Sequence, residues 1–184
     1  MHPRTLELLQ HLDRHHASLR QAVDSVPPER REIAPAQGEW SVANVLEHVA
    51  MVNTAVARTL GQKLASARAG GLAAETDSSP LAPGFDIRPL LNRNVKITAA
   101  EFVRPTCTVD AGTALQRADE SHRILRGVLT IFDGLALGQV SHPHPVFGNR
   151  NVYEWFLTIG GHTARHAAQV REIGSRLAPD GMRG

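Results

Sequence analysis

Cysteine is nearly absent: Cys107 stands alone in a chain of 184 residues. One thiol excludes an intramolecular disulfide framework and any cysteine-based zinc site. Lysine is almost missing too, found only at Lys63 and Lys96, so the basic residues are otherwise arginines. Twenty basic side chains against eighteen acidic ones leave a net charge of +2. That is far from the clustered positive field that nucleic acid requires, so no nucleic-acid partner is expected. No apolar run approaches the ~20 residues of a membrane-spanning helix, and no membrane partner is expected either. The start, Met1-His2-Pro3-Arg4, lacks the charged-then-apolar layout of a secretory signal, so the expected location is the cytoplasm. Rings are scarce as well: five Phe, two Trp and one Tyr. Against these shortages stand ten histidines.

Four helical segments can be read from apolar residues at three- and four-residue steps. The first is expected over 3–26, where Leu9, Leu12, Leu19 and Val23 share a stripe and Pro27-Pro28 stops the helix. The second is expected over 41–69, with Ser41 as its cap and Val42, Val45, Leu46, Val49 and Val52 following. A capping box from Thr113 to Gln116 predicts a third helix over 113–137, carrying Leu125, Leu129 and Phe132. Asn151 and Glu154 offer a second capping signal for a helix over 152–178. Residues 70–110 are poor in large apolar side chains and predict a long, partly mobile loop, with some order near Leu90 and around Val95, Lys96 and Ile97. The expected architecture is all-α, a single-domain four-helix bundle. Spacing alone leaves up-down-up-down and up-down-down-up equally open.

The sharpest chemical pattern lies in Gly161-His162-Thr163-Ala164-Arg165-His166. Two imidazoles at i and i+4 share one helix face, here the inward stripe with Trp155, Ile159 and Val170, and both can meet one metal ion. Thr163 stands where a zincin protease needs its glutamate, which excludes that class. A third ligand must come from another helix. His16, His48 and His122 each face inward on a different helix, and spacing does not choose among them. His11 and His15 read as solvent-facing, and His142 and His144 as part of a proline-rich loop that either turns at the surface or covers a site. Glu47 adjoins His48, but neighbouring helical positions point about 100° apart, so it is not assigned as a base. Gln169 is placed to orient His166, while Arg165 meets either a substrate carboxylate or solvent. Gly160-Gly161 in mid-helix signals close backbone approach or room for a ligand.

Two blocks then resemble one family. Glu39-Trp40-Ser41-Val42-Ala43-Asn44-Val45-Leu46-Glu47-His48-Val49 is similar to the tryptophan-to-histidine segment of the DinB/YfiT-like superfamily. His144-Pro145-Val146-Phe147-Gly148, then Trp155, then His162 through Gln169 and Val170 resembles that family's closing block. The resemblance implies an up-down-down-up bundle with a long loop between its second and third helices, often dimeric, here a homodimer. It also implies one divalent metal ion (Zn, Ni, Mn or Fe) held by His48, His162 and His166, with Gln169, His144, Arg165, Trp155 and His122 as candidate pocket residues. The activities implied are a metal-dependent hydrolase or a thiol-dependent S-transferase acting on a small molecule, the thiol being a low-molecular-weight one such as bacillithiol or mycothiol. The alternative is a non-catalytic stress-response module that binds a metal or small ligand.

Overall fold

In the computed structural model, which describes residues 1–94 and 98–178, each long helix starts at a side chain that accepts a free N–H of the first turn. Helix α1 runs Pro3–Asp24, with the His2 ring accepting from the backbone N–H of Arg4. Helix α2 runs Val42–Ala69 from a reciprocal capping box, in which Ser41 and Asn44 each accept the other's backbone N–H. A single helical turn, α3, covers Arg88–Leu91. Helix α4 runs Ala111–Ile131 and α5 runs Val152–Leu177, the latter capped reciprocally by Asn151 and Glu154. The order expected around Val95, Lys96 and Ile97 falls outside the described residues.

Two expectations are corrected in α4. The cap is Asp110, whose carboxylate accepts from the Thr113 N–H at 2.9 Å, so Thr113 lies inside the helix rather than in front of it. The helix also ends at Ile131 instead of 137. Gly134 adopts φ +75°, and residues 132–137 turn back to meet the start of the long connection. There Ala136 N–H donates to the Ala73 carbonyl and Glu75 N–H to the Gly134 carbonyl. A second element was not anticipated. Strands β1 (Ser141–His144) and β2 (Gly148–Asn151) form an antiparallel hairpin leading into α5. Its sequence is polar and proline-bearing, so it has none of the apolar alternation that marks a strand.

Helix α2 packs chiefly on α4, and α1 chiefly on α5. Small residues permit the first contact: Ala114 and Ala118 of α4 meet Val42, Val45, Leu46 and Val49 of α2 in one fully buried cluster, together with Leu19, Val23, Ala167 and Val170. A second cluster gathers Leu8, Leu12, Leu60, Leu64, Leu125, Leu129 and Phe156 toward the other end. Each such leucine contributes about 1.5–3 kcal/mol on burial. Asn53 of α2 donates to the Ser121 hydroxyl of α4 at 3.3 Å, and two turns further on Gly61 faces Val128. Between α1 and α5, His11 meets the Leu157 carbonyl and Ser18 meets Arg171, and just past the end of α1 Val26 lies over Gly174.

The connection from 70 to 110 is tied down along much of its course. Arg4 binds Glu75, Asp77 and Ser79, while Glu7 accepts the N–H groups of Leu81 and Ala82. The stretch read from sequence as mobile therefore carries several contacts to α1. Further along, the Glu47 carboxylate accepts from Thr106 N–H at 3.0 Å and from its hydroxyl at 2.7 Å. Among the described residues no helix is long and apolar enough to cross a membrane.

Candidate metal centre

Helical spacing puts His162 and His166 on one face of α5, and the packing of α2 brings His48 to the same point. The Nε2 atom of His162 lies 3.2 Å from that of His48 and 3.1 Å from that of His166. All three candidate ligand atoms fall within 4.8 Å of one another. Neither His16 nor His122 joins them. Those rings stack on each other at 4.1 Å in the α1–α4 seam, where His16 binds Asp119 and His122 binds Asp13. His122 is thus corrected: it does not line the pocket.

The outer nitrogens fix the tautomers. His48 Nδ1 donates to the Val103 carbonyl at 2.7 Å, and His166 Nδ1 donates to Gln169 Oε1 at 2.9 Å. Both rings therefore turn a bare Nε2 lone pair inward. A neutral His162 can offer a proton to only one of these lone pairs, so two lone pairs must face each other across about 3 Å unless a cation sits among them. Protonation is a poor answer. Burial, then the neighbouring imidazoles, holds His162 well below its ordinary value, and burial first with His48 next pushes His166 down to about 3. Burial lowers His48 as well. The Nδ1 atom of His162 is buried without a partner among the described residues, so no hydrogen bond there sets its ring against an ion.

Three neutral imidazoles in this arrangement fit a divalent transition metal. With metal–nitrogen bonds of about 2.0–2.1 Å, the nitrogens of a tetrahedral or octahedral site stand roughly 2.9–3.4 Å apart, which brackets the two distances observed. His48 and His166 are buried, while His162 keeps part of its surface on a cavity of about 850 Å³. Trp40, Val52, Trp155, His144, Phe147 and Arg165 contribute to its walls. Trp155 donates its indole N–H to the His142 carbonyl at 2.8 Å, which fixes the hairpin over this opening.

Arg165 and His11 differ from their reading in the sequence. Arg165 is not simply solvated: its guanidinium donates to the carbonyls of Leu90 and Asn92, holding α3 beside the cavity. His11 is buried, not solvent-facing, and its ring donates to the Leu157 carbonyl at 3.0 Å. Gly160 explains how that ring fits, since a Cβ there would stand 2.2 Å from it. Gly161 likewise admits Leu90 and Ile87, so close packing, rather than room for a ligand, accounts for the glycine pair. Glu47 is buried and turned toward Thr106, away from any role as a base. The Val103 carbonyl was not foreseen, because a main-chain acceptor carries no residue signature.

A family model described as the DinB superfamily matches residues 11–170. The chain belongs to the DinB superfamily. This DinB chain is also 26% identical over 144 residues to an uncharacterized protein, YuaE, of Bacillus subtilis (strain 168), an alignment covering 78% of the chain and 82% of the relative. No solved structure matches it. The family match spans every residue of the histidine cluster, and the fold around the cluster is predominantly helical, as expected for an all-α DinB protein.

Proposed function

We propose that this chain is a metal-dependent enzyme that transfers a low-molecular-weight thiol to an electrophilic small molecule. The convergence of three neutral imidazoles, two of them fixed in tautomer, beside a cavity of about 850 Å³ carries that reading. His48, His162 and His166 would hold the ion, with Val103 orienting the His48 ring and Gln169 the His166 ring. A divalent cation there supplies Lewis acidity, lowering the pKa of a thiol or water molecule that joins it.

The carboxylates near the cavity favour the thiol over water. Glu172 is engaged by Arg93 at 2.6 Å, Glu39 by Arg176 at 2.5 Å, and Glu47 by Thr106. Hydrolysis calls for a base to take a proton from water, and each of these acids is already committed. A thiol is intrinsically far more acidic than water and can release its proton to solvent. Its sulfur then forms the bond to carbon as the leaving group departs with its electron pair. Trp155, Phe147 and Val52 exclude water from the electrophile, and exposed Arg104 offers a guanidinium with no ion pair among the described residues to a carboxylate of the thiol or its acceptor. We further infer an up-down-down-up bundle. The pairs Asn53–Ser121 and Gly61–Val128 advance together along α2 and α4, as do His11–Leu157 and Ser18–Arg171 along α1 and α5, which supports parallel helices in both pairs.

The test compares untagged protein with a His48→Ala/His162→Ala variant by metal analysis. Each is then assayed with thiol–electrophile pairs and with a panel of esters and amides. The expected result is about one equivalent of metal in the parent, none in the variant, and metal-dependent loss of free thiol. Equal, sub-stoichiometric metal in both would remove the site. Turnover confined to the esters and amides would make the chain a hydrolase, and retained metal without turnover would make it a binding module.

A further inference from the structure

The hairpin that overhangs the cavity contains a histidine whose proton position is dictated by backbone geometry. His144 pairs with Gly148 across a three-residue turn, Pro145 to Phe147, with Gly148 at φ +71°. Glycine takes that left-handed conformation without steric cost. Pro145 has no N–H, and the two that follow both aim at one atom. The N–H groups of Val146 and Phe147 donate to His144 Nδ1 at 3.1 and 3.2 Å. An atom that accepts two hydrogen bonds cannot carry a proton, so the ring holds its hydrogen on Nε2. Trp155 and Phe147 flank the ring at 4.7 and 4.8 Å and prevent it from turning over. The Nε2 atom has no partner among the described residues. His144 lines the same cavity as the three clustered imidazoles, and its charge bears on His162.

We propose that His144 is a fixed hydrogen-bond donor for the ligand, its Nε2–H binding an acceptor oxygen of a molecule seated over His48, His162 and His166. The inference rests on the metal-site reading above and adds a chemical requirement to it: the preferred ligand carries a carbonyl, nitro or similar oxygen close to its reacting atom. Donation here is specific. The imidazole cannot switch to an acceptor without giving up both turn hydrogen bonds, so a ligand that presents a donor at this place is rejected. Burial, with Arg150 nearby, pushes the ring's pKa down to about 4, in keeping with a neutral donor at neutral pH.

Two measurements test this. Long-range proton–nitrogen correlation on histidine-labelled, metal-free protein reads the tautomer directly and needs no variant. His144 should show its hydrogen on Nε2, and a hydrogen on Nδ1 would overturn the proposal. The second measurement uses zinc-loaded protein titrated calorimetrically with 2-mercaptoacetamide, which carries a carbonyl, and with propane-1-thiol, which does not. The amide's advantage should fall about fivefold or more in His144→Phe, as expected for loss of one hydrogen bond, and return in part in His144→Gln. Zinc content should be the same in all three proteins. An unchanged advantage in His144→Phe with zinc retained counts against His144 alone. Failure of the parent to take up zinc counts against the three-histidine site, and with it against any ligand seated there.

Discussion

Replacing Gly160 by alanine should destabilise this protein, although the same change in an unobstructed helix is favourable. Alanine gains about 1 kcal/mol over glycine in a helix interior. At Gly160 the new methyl would stand 2.2 Å from Cδ2 and Nε2 of His11, well inside contact distance. The His11 ring must then leave, and its hydrogen bond to the Leu157 carbonyl goes with it. A buried polar group left unpaired costs about 1–3 kcal/mol, and overpacking adds about 1–3 kcal/mol. The net loss should be about 3 kcal/mol, or a fall in melting temperature of about 6–12 °C for a chain of this size. Urea unfolding measures it, with Gly127→Ala as the internal control. Nothing lies within 4 Å of a Cβ at Gly127, so that variant should gain about 0.5–1 kcal/mol. The double variant His11→Ala/Gly160→Ala removes the obstruction and should recover about 1–3 kcal/mol relative to the sum of the single changes. If Gly160→Ala behaves like Gly127→Ala, the account of His11 as the obstacle is wrong.

Two other outcomes are expected. Gln169→Leu removes the acceptor that holds His166 Nδ1–H, so metal affinity should fall about 10- to 100-fold with the fold intact, as competition with a chelating dye would show. Burial, then His11 and Arg14, pushes His15 down to about 4 against an ordinary value of 6.5, so the unfolded chain takes up its proton first. The stability this ring contributes is present above about pH 6.5 and lost as pH falls toward 4. Unfolding of metal-free protein across that window should show a shallower decline in His15→Gln than in the parent.

The contrast between what was legible in the sequence and what was not follows from the range of each interaction. Ser41 and Asn151 announce their helices because a cap acts over three residues. His162 and His166 declare a shared face through helical spacing, but their partner could be His16, His48 or His122 until packing, or family likeness, decides. His11 looked exposed because the gap that receives it belongs to Gly160, on a helix almost at the other end of the chain. The hairpin at 141–151 was hidden for another reason. One of its faces rests on Trp155 through a backbone carbonyl and a ring, so its residues need no alternation of apolar and polar side chains. Asp110 and Thr113 can both cap, and a capping motif does not specify which of two candidates the chain uses.

The Val103 carbonyl has a consequence for how this site can change over time. Any amino acid presents a carbonyl, so substitutions at position 103 can leave the bond to His48 in place. An insertion or deletion between the Thr106 anchor on Glu47 and residue 103 is different. It would move that carbonyl out of register and release the His48 ring without altering a single histidine. The orientation of the ligand is thus insensitive to spelling and sensitive to length, and engineered connections should be designed to preserve the count of residues from 103 to 106 before their identity.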